Sequence, residues 1–381
     1  MNVFKDVYER EPEWQTSAPG RIEVIGNHVD YNGGLVLGAA INRRIRLFWA
    51  PNQSDHHRFV SGGSREPIKV PAGRVVPQDG PGRWTNYILG VMDALQSEGL
   101  ALPGGWDIAV DSDLPSGAGL SSSAALEMAT AVGINAICHG NLDTKSLVRA
   151  ARRAENEFVG VPCGILDQGV VGFGQPDGMV AIDCAAESFS AVALPEDTRF
   201  WIFNSQVKHS LLDSYYATRH RECTEALRHL NREIPGIAQL ALVTSAQLEK
   251  ALPGMPEVLG RRARHVVEEQ ARVQHLLEAL RRGKEWSAIG HLLTASHASS
   301  RDLFENSCPE LDFLVDSLVP CPEVYGARLT GGGFGGAVLA VTSKSFGPEQ
   351  SEAIKQTYER KFGTSPQVIS FTPDEGAKVE K

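Results

Sequence analysis

Residues 330–336 read TGGGFGG, five glycines in seven positions between the apolar segments GARL and AVLAVT. Ordering glycine costs more backbone entropy than ordering any other residue. A tight hairpin explains one or two of the five; the rest point to a backbone that approaches a ligand or another loop. A plain turn is the alternative from these residues alone. Two further segments with the same punctuation lie in the first half of the chain: APGRIEVIGNHVDYNGG (18–34) and LPSGAGLSSSAALE (114–127). Glycine-rich loops in both halves favour a site in the cleft between them.

Around these loops the pattern alternates irregularly between strand and helix. WDIAVDSDLP (106–115) alternates like a strand entering a loop, and MVAIDC (179–184) and RFWIFNS (199–205) read as strands. Residues 145–160 have the amphipathic period of a helix that stops at GVPCG. Longer helical patterns run over 214–230, 256–282 and 286–299, and EQSEAIKQTYERKFG closes the chain as a helix. The expectation is an α+β chain of two lobes, 1–190 and 191–381, because 381 residues are too many for one small core.

Charge excludes several classes of partner. The net charge is -9, and basic clusters such as GRRARH (260–265) are interleaved with Glu268, Glu269 and Glu278, as on a solvated helix face. Neither nucleic acid nor an anionic membrane is expected as a partner. The six cysteines are scattered without a CxxC pair, which suits reduced thiols. MNVFKDVYEREPEW lacks the apolar core of a signal peptide, and no apolar run reaches the roughly 18 residues of a membrane span. A soluble, cytoplasmic protein with small-molecule partners is expected; the sequence leaves the oligomeric state open.

The loops carry specific chemistry. In LPSGAGLSSSAALE, Gly117 and Gly119 permit close backbone approach, and the helix that follows offers unpaired N–H groups with a partial positive charge. That makes an anion site, with Ser121, Ser122 and Ser123 adding hydroxyls for phosphate or a divalent cation. A serine-capped helix after a flexible turn is the alternative. The loop is neither GxxxxGK[ST] nor GxGxxG. In 18–34, which reads as a binding loop rather than a scaffold strand, Arg21 can bridge a carboxylate and a phosphate, and Asp30 and His28 can meet hydroxyls. A surface hydrogen-bond network is the alternative there. In AENEFVGVPCGILDQG (154–169), Glu155, Glu157 and Asp167 offer oxygen ligands of the kind Mg²⁺ takes. Asp167 follows a turn in an apolar setting that favours a base. Cys163 is nucleophile or inert core thiol, and with no histidine near it in sequence the inert reading is preferred.

Together these motifs resemble the GHMP small-molecule kinases, most closely the galactokinase branch. That branch has the signature GRxNxIGEHxDYxxG where this chain reads GRIEVIGNHVDYNGG; LPSGAGLSSSAALE, CGILDQ and LTGGGFGGAV match further motifs in the expected order. Supporting matches are WTNYILGV, VKHSLLDSYYATRHREC and SHASSRDLFENSCPELDFLV. The resemblance implies a two-lobed fold, with an N-terminal lobe like ribosomal protein S5 domain 2 and a ferredoxin-like C-terminal lobe. It implies phosphoryl transfer from ATP to the anomeric hydroxyl of a sugar, with Mg²⁺. Asp167 is then the base and Arg21 its partner. Gly117, Ala118, Gly119, Leu120, Ser121 and Ser122 wrap the ATP phosphates, Ser123 (or Ser122) and Glu155 hold the metal, and Asn27, His28, Asp30, Gly164 and Tyr216 form the sugar pocket.

Five departures stand out: Asn27 for Glu, Glu23 for Asn, Ala185 for Arg, Tyr215 for Glu and Ala337 for Cys. An amide at 27 removes the carboxylate that would repel an acid near the sugar's C6. Galacturonate therefore stands beside galactose as a candidate substrate, with arabinose as a further one; alternatively Glu23 compensates and galactose remains. A non-catalytic sugar and ATP sensor is the rival of another class. It is disfavoured by the whole GLSSSAALE loop and by the presence of both Arg21 and Asp167. HVDYNGG and CPELDFLV argue against a mevalonate-type kinase or a decarboxylase.

Overall fold

The computed structural model describes residues 3–62, 64–73, 75–115, 119–207 and 212–380. The first half builds one sheet from β1 (Trp14–Ile25), β2 (Leu35–Asn52), β3 (His56–Ser61), β4 (Ile68–Pro71), β5 (Gly105–Ser112), β6 (Gly178–Asp183) and β7 (Ser188–Ala193). The second half supplies β8 (Arg199–Asn204), β9 (Val324–Thr330), β10 (Ala337–Thr342) and β11 (Gln367–Phe371), antiparallel in the order β11-β8-β10-β9. The final strand β12 (Lys378–Val379) leaves its own half and pairs with β1, matching Val379 to Thr16 and Lys378 to Ser17. The arrangement is α+β, as expected, and is built on two sheets.

Two expectations need correction. The opening segment is strand as far as Ile25, and only the turns from Gly26 onward form a loop. Residues 16–25 of β1 are buried on both faces, so they lack the polar-apolar alternation that marks a half-buried strand. The division at residue 190 also fails at the C-terminus. Beyond the β12 pairing, buried Arg44 clamps the returning chain, with Nη1 donating to Asp374 Oδ2 (2.8 Å) and Glu375 O (2.9 Å) and Nη2 to Gly376 O (2.8 Å). The main apolar core runs through both halves, joining Ile22 and Val24 of β1 to Val266, Leu293 and Leu339. A smaller core under the second sheet packs Leu311, Leu314 and Leu318 against Phe203, Leu329 and Tyr358.

Three features of the helices position the site. The helix Ser122–Ile137 buries a face of small residues (Ala124, Ala125, Ala129, Gly133) and so lies close on the sheet. A Cβ at Gly133 would sit 3.1 Å from the Trp49 ring. The predicted 145–160 helix is α-helical over Thr144–Arg153 and widens into a π-helical turn over Ala154–Val159, which carries Glu155. Such turns re-aim side chains at functional sites. The expected helix at 286–299 is split at Gly290 and ends in a second π-turn, Ser300–Phe304, while a long helix, Glu257–Arg281, runs behind the loop at 26–34. Among the described residues no helix is long and apolar enough to cross a membrane.

Candidate functional site

The site forms where three backbones converge. β1 delivers Arg21, and its backbone N–H donates to Leu120 O (3.1 Å), tying the strand to the serine-rich loop. That loop turns on two left-handed residues, Gly119 (φ +68°) and Ser121 (φ 53°), before the helix begins. The N-terminus of this sixteen-residue helix opens on a pocket lined by Arg21, Leu114, Pro115, Gly119–Ser123, Gly331 and Gly332. Its charge and free N–H groups suit phosphate. Of the residues expected to wrap phosphates, Gly119, Leu120, Ser121 and Ser122 line this pocket; Gly117 and Ala118 lie outside the described residues.

Arg21 and Asp167 meet at the floor. Arg21 Nε donates to Asp167 Oδ1 (2.7 Å), Nη2 lies 2.6 Å from the same oxygen, and Nη1 donates to Gly119 O (2.8 Å). The other carboxylate oxygen accepts from Ser121 Oγ (2.5 Å). This contact was not legible in the sequence, which gave Ser121 to the phosphates. Arg21 is nearly buried while Asp167 keeps a quarter of its side chain open to the cleft (7% against 27%), so the acid is oriented from behind and accessible from the front.

Behind them lies an acidic nest. Gln168 Nε2 donates to both Glu155 Oε2 (2.6 Å) and Glu127 Oε2 (2.9 Å). Burial, then the charge of Glu155, pushes the Glu127 carboxyl up, and burial, then the charge of Asp167, does the same to Glu155. Ser123 shares a hydrogen bond with Glu155. Glu127 Oε1 and Gln168 Oε1 are buried without a hydrogen-bond partner among the described residues. Sequence reasoning quoted both residues within motifs but gave neither a role. Burial, followed by the charges of Glu155 and Asp167, raises the Cys163 thiol far above its ordinary value. That direction fits the inert reading of Cys163. Glu157 is largely exposed, pairing with Arg153, and faces away from this nest.

The loop 26–34 closes the other end. Gly26 (φ +113°) and His28 (φ 59°) take left-handed turns. Asp30 reaches into the cleft against Gly164, where a Cβ would lie only 1.8 Å from Asp30 Oδ2. Burial, then the charges of Asp167 and Glu23, push the Asp30 carboxyl up to about 7. Tyr216 stands beside the His28 ring (5.1 Å between centroids) and also lines the cleft. Two of the expected sugar contacts turn out to be engaged within the protein. His28 Nδ1 meets Tyr31 Oη (2.8 Å) and its Nε2 donates to Gly332 O (3.0 Å). The Asn27 side chain makes four hydrogen bonds, to Glu23, Gly331, Ser300 and Asn306.

The glycines of TGGGFGG are explained by these contacts. Gly331, Gly333, Gly335 and Gly336 all have positive φ, and a Cβ at Gly333 would be 2.1 Å from Asn306 O. The strand ends β9 and β10 thus carry a ribbon of backbone carbonyls against the 26–34 loop. The resulting cleft has a volume of about 780 Å³ and is lined by Arg21, Asp167, Glu155, Asp30, Gly164 and Tyr216 among others.

Comparison with known proteins decides the family. The sequence family described as the galactokinase galactose-binding signature matches residues 2–51, GHMP kinases N terminal domain matches 86–175, and GHMP kinases C terminal matches 276–360. The galactokinase of Thermotoga neapolitana is 40% identical over 349 residues, covering 91% of this chain and 95% of the relative. The chain belongs to the galactokinase family. The human galactokinase is 38% identical over 384 residues, with 99% and 95% covered. The crystal structure of Lactococcus lactis galactokinase complexed with galactose superposes with a TM-score of 0.94 at 30% identity, covering 98% of this chain and 97% of that one. A Methanococcus jannaschii mevalonate kinase shares the fold at 16% identity and a TM-score of 0.66, covering 95% and 98%. The galactokinase resemblance thus extends over the whole chain, including the loop that carries Asn27 and Glu23.

Proposed function

We propose that the protein is an ATP-dependent galactose 1-kinase, and that Asp167, held by Arg21 and Ser121 at the junction of the phosphate pocket and the sugar cleft, receives the proton of the anomeric hydroxyl. The observation that carries this reading is the Arg21–Asp167 pair at the point where the two pockets meet. A sugar seated against Asp30, Gly164 and Tyr216 brings a hydroxyl to the open face of Asp167. A triphosphate seated on the helix N-terminus brings its terminal group alongside Arg21. As the hydroxyl oxygen bonds to the γ-phosphorus, its proton passes to Asp167 and the bond to the β-phosphate bridging oxygen breaks, releasing ADP. Arg21 balances the carboxylate before transfer and the phosphoryl charge during it.

The residues present also suit Mg²⁺. Among the described residues no three His, Cys, Asp or Glu side chains converge as a self-sufficient metal site. A cation held by one or two protein oxygens and completed by phosphates and water needs no such cluster. Ser123 and Glu155 would hold it, and the buried unpartnered oxygens of Glu127 and Gln168 beside them favour a positive charge there. When bound, it neutralises charge on the β- and γ-phosphates.

Galactose is preferred over galacturonate because replacing Glu by Asn at 27 does not empty the pocket of negative charge: Glu23 lines the same cleft. A sensor without turnover is disfavoured by the complete Arg21–Asp167–Ser121 arrangement. The test is a coupled ADP-release assay across galactose, galacturonate, arabinose and N-acetylgalactosamine. Galactose is expected to be turned over fastest; no ADP release with any of them contradicts the kinase reading, and a preference for galacturonate contradicts the choice of sugar.

A further inference from the structure

Glu23 has no role in the transfer chemistry above, yet it lines the cleft with Asp30 and Tyr216. Its neighbour Asn27 has no capacity left for a ligand. Asn27 Nδ2 donates to Gly331 O (2.7 Å) and Glu23 Oε1 (3.2 Å), and Oδ1 accepts from Asn306 Nδ2 (2.8 Å) and Ser300 Oγ (3.2 Å). An amide offers two donors and two acceptor positions, and all four are used. The orientation is fixed, because a carbonyl and a carboxylate can only accept. An acid at 27 would face both of them with nothing to donate.

One carboxylate oxygen of Glu23 is anchored within the protein. Its Oε1 takes the Asn27 hydrogen bond and lies 2.9 Å from Nη2 of Arg328, a wholly buried guanidinium whose Nη1 approaches Glu23 O and Val24 O (3.3 Å each). Arg328 thereby holds the carboxylate at the cleft wall. We propose that Glu23, rather than Asn27, supplies this wall's acceptor for a substrate hydroxyl, and that its charge excludes sugars bearing a carboxylate at that place. Asn27 acts as a crosspiece that fixes Glu23 and the Gly331 backbone. The assignment rests on the galactose 1-kinase reading of the cleft.

The test measures kcat/KM for galactose, its 2-, 3-, 4- and 6-deoxy derivatives and galacturonate, with wild type, Glu23→Ala, Glu23→Gln and Asn27→Asp. Wild type is expected to lose roughly ten- to a hundredfold on one deoxy sugar, as for a hydrogen bond to a charged group. That penalty should shrink to within about threefold in Glu23→Ala and fall several-fold in Glu23→Gln, while galacturonate gains relative to galactose. Asn27→Asp should weaken every sugar alike. Ratios between sugars do not depend on how much enzyme is folded, and the near-isosteric Gln variant decides the matter if the Ala variant does not fold. Normal galactose turnover with the same deoxy penalties in all variants overturns the role of Glu23 alone. No turnover of any sugar by wild type removes the kinase reading and this assignment with it.

Discussion

Single residues in this cleft trade stability for function. Asp30 is the clearest case: its carboxyl is pushed up to about 7, mainly by burial and then by Asp167 and Glu23. A carboxyl whose folded pKa is raised binds its proton more tightly in the native state, so stability falls as pH rises from the unfolded value near 4 through 7. Asp30→Asn should therefore unfold at a higher temperature than wild type at pH 8, with the gap closing below about pH 4, and should lower kcat/KM for galactose. Equal melting temperatures at pH 8 would contradict the buried-acid account. If the ionised form accepts the sugar hydroxyls, kcat/KM for galactose should also decline as pH drops below about 7. At the reacting end, Asp167→Asn should reduce kcat by roughly 10²–10⁴-fold while calorimetry finds ATP binding within a few-fold of wild type. Retained turnover would take Asp167 out of the proton transfer. The four motifs, and Arg21, Asp30 and Asp167 within them, were legible in the sequence through the resemblance that the motifs carry together and in order; from residue type alone Arg21 and Asp30 fit a surface network as well. The engagement of Asn27 was not. Its partners Ser300 and Asn306 come from a segment far along the chain, and nothing local announces a saturated amide.

At the scale of elements, the long Glu257–Arg281 helix grips the turn of the sugar loop. Glu269 Oε1 accepts from Gly26 N (3.1 Å), Asn27 N (3.3 Å) and Ser296 Oγ (2.6 Å), its Oε2 accepts from Arg272 Nε (2.7 Å), and His265 Nε2 donates to Asn27 O (3.0 Å). Burial alone would raise the Glu269 carboxyl, but Arg272, Arg328 and the other contacts outweigh it and bring it to about 2. The sign is opposite to that of Asp30. This group adds stability above the unfolded carboxyl range near pH 4.3 and loses it as pH falls towards 2. Glu269→Gln should cost about 3 kcal/mol in a denaturant titration at neutral pH, as breaking a buried charge pair does. It should also raise KM for galactose more than KM for ATP. A variant with wild-type stability and unchanged KM values would show that the helix merely lies behind the loop. Helix 257–281 itself was legible from its period, but its hold on the loop was not. Similarly β1 was hidden, because burial on both faces removes the alternation by which a strand is read.

At the scale of the molecule, the two halves share one apolar core and are tied together at the C-terminus. The apolar core crosses the boundary expected at residue 190, and the last strand returns to the first sheet under the Arg44 clamp. No periodicity could announce a two-residue strand paired with the other end of the chain. Removing residues 372–381 should therefore destabilise the first sheet as well, giving one unfolding transition at lower denaturant rather than loss of a separate lobe; an unchanged midpoint would contradict this. The same closure brings the phosphate helix, β1 and the TGGGFGG ribbon to one point, and the account stands on what happens there. Phosphorus NMR of the product formed from ATP, Mg²⁺ and galactose tests it most directly. The expected result is a single anomeric phosphate, galactose 1-phosphate, appearing in step with ADP and forming roughly 10²–10⁴-fold more slowly with Asp167→Asn; phosphate on any other hydroxyl, or ATP left unconsumed, would contradict it.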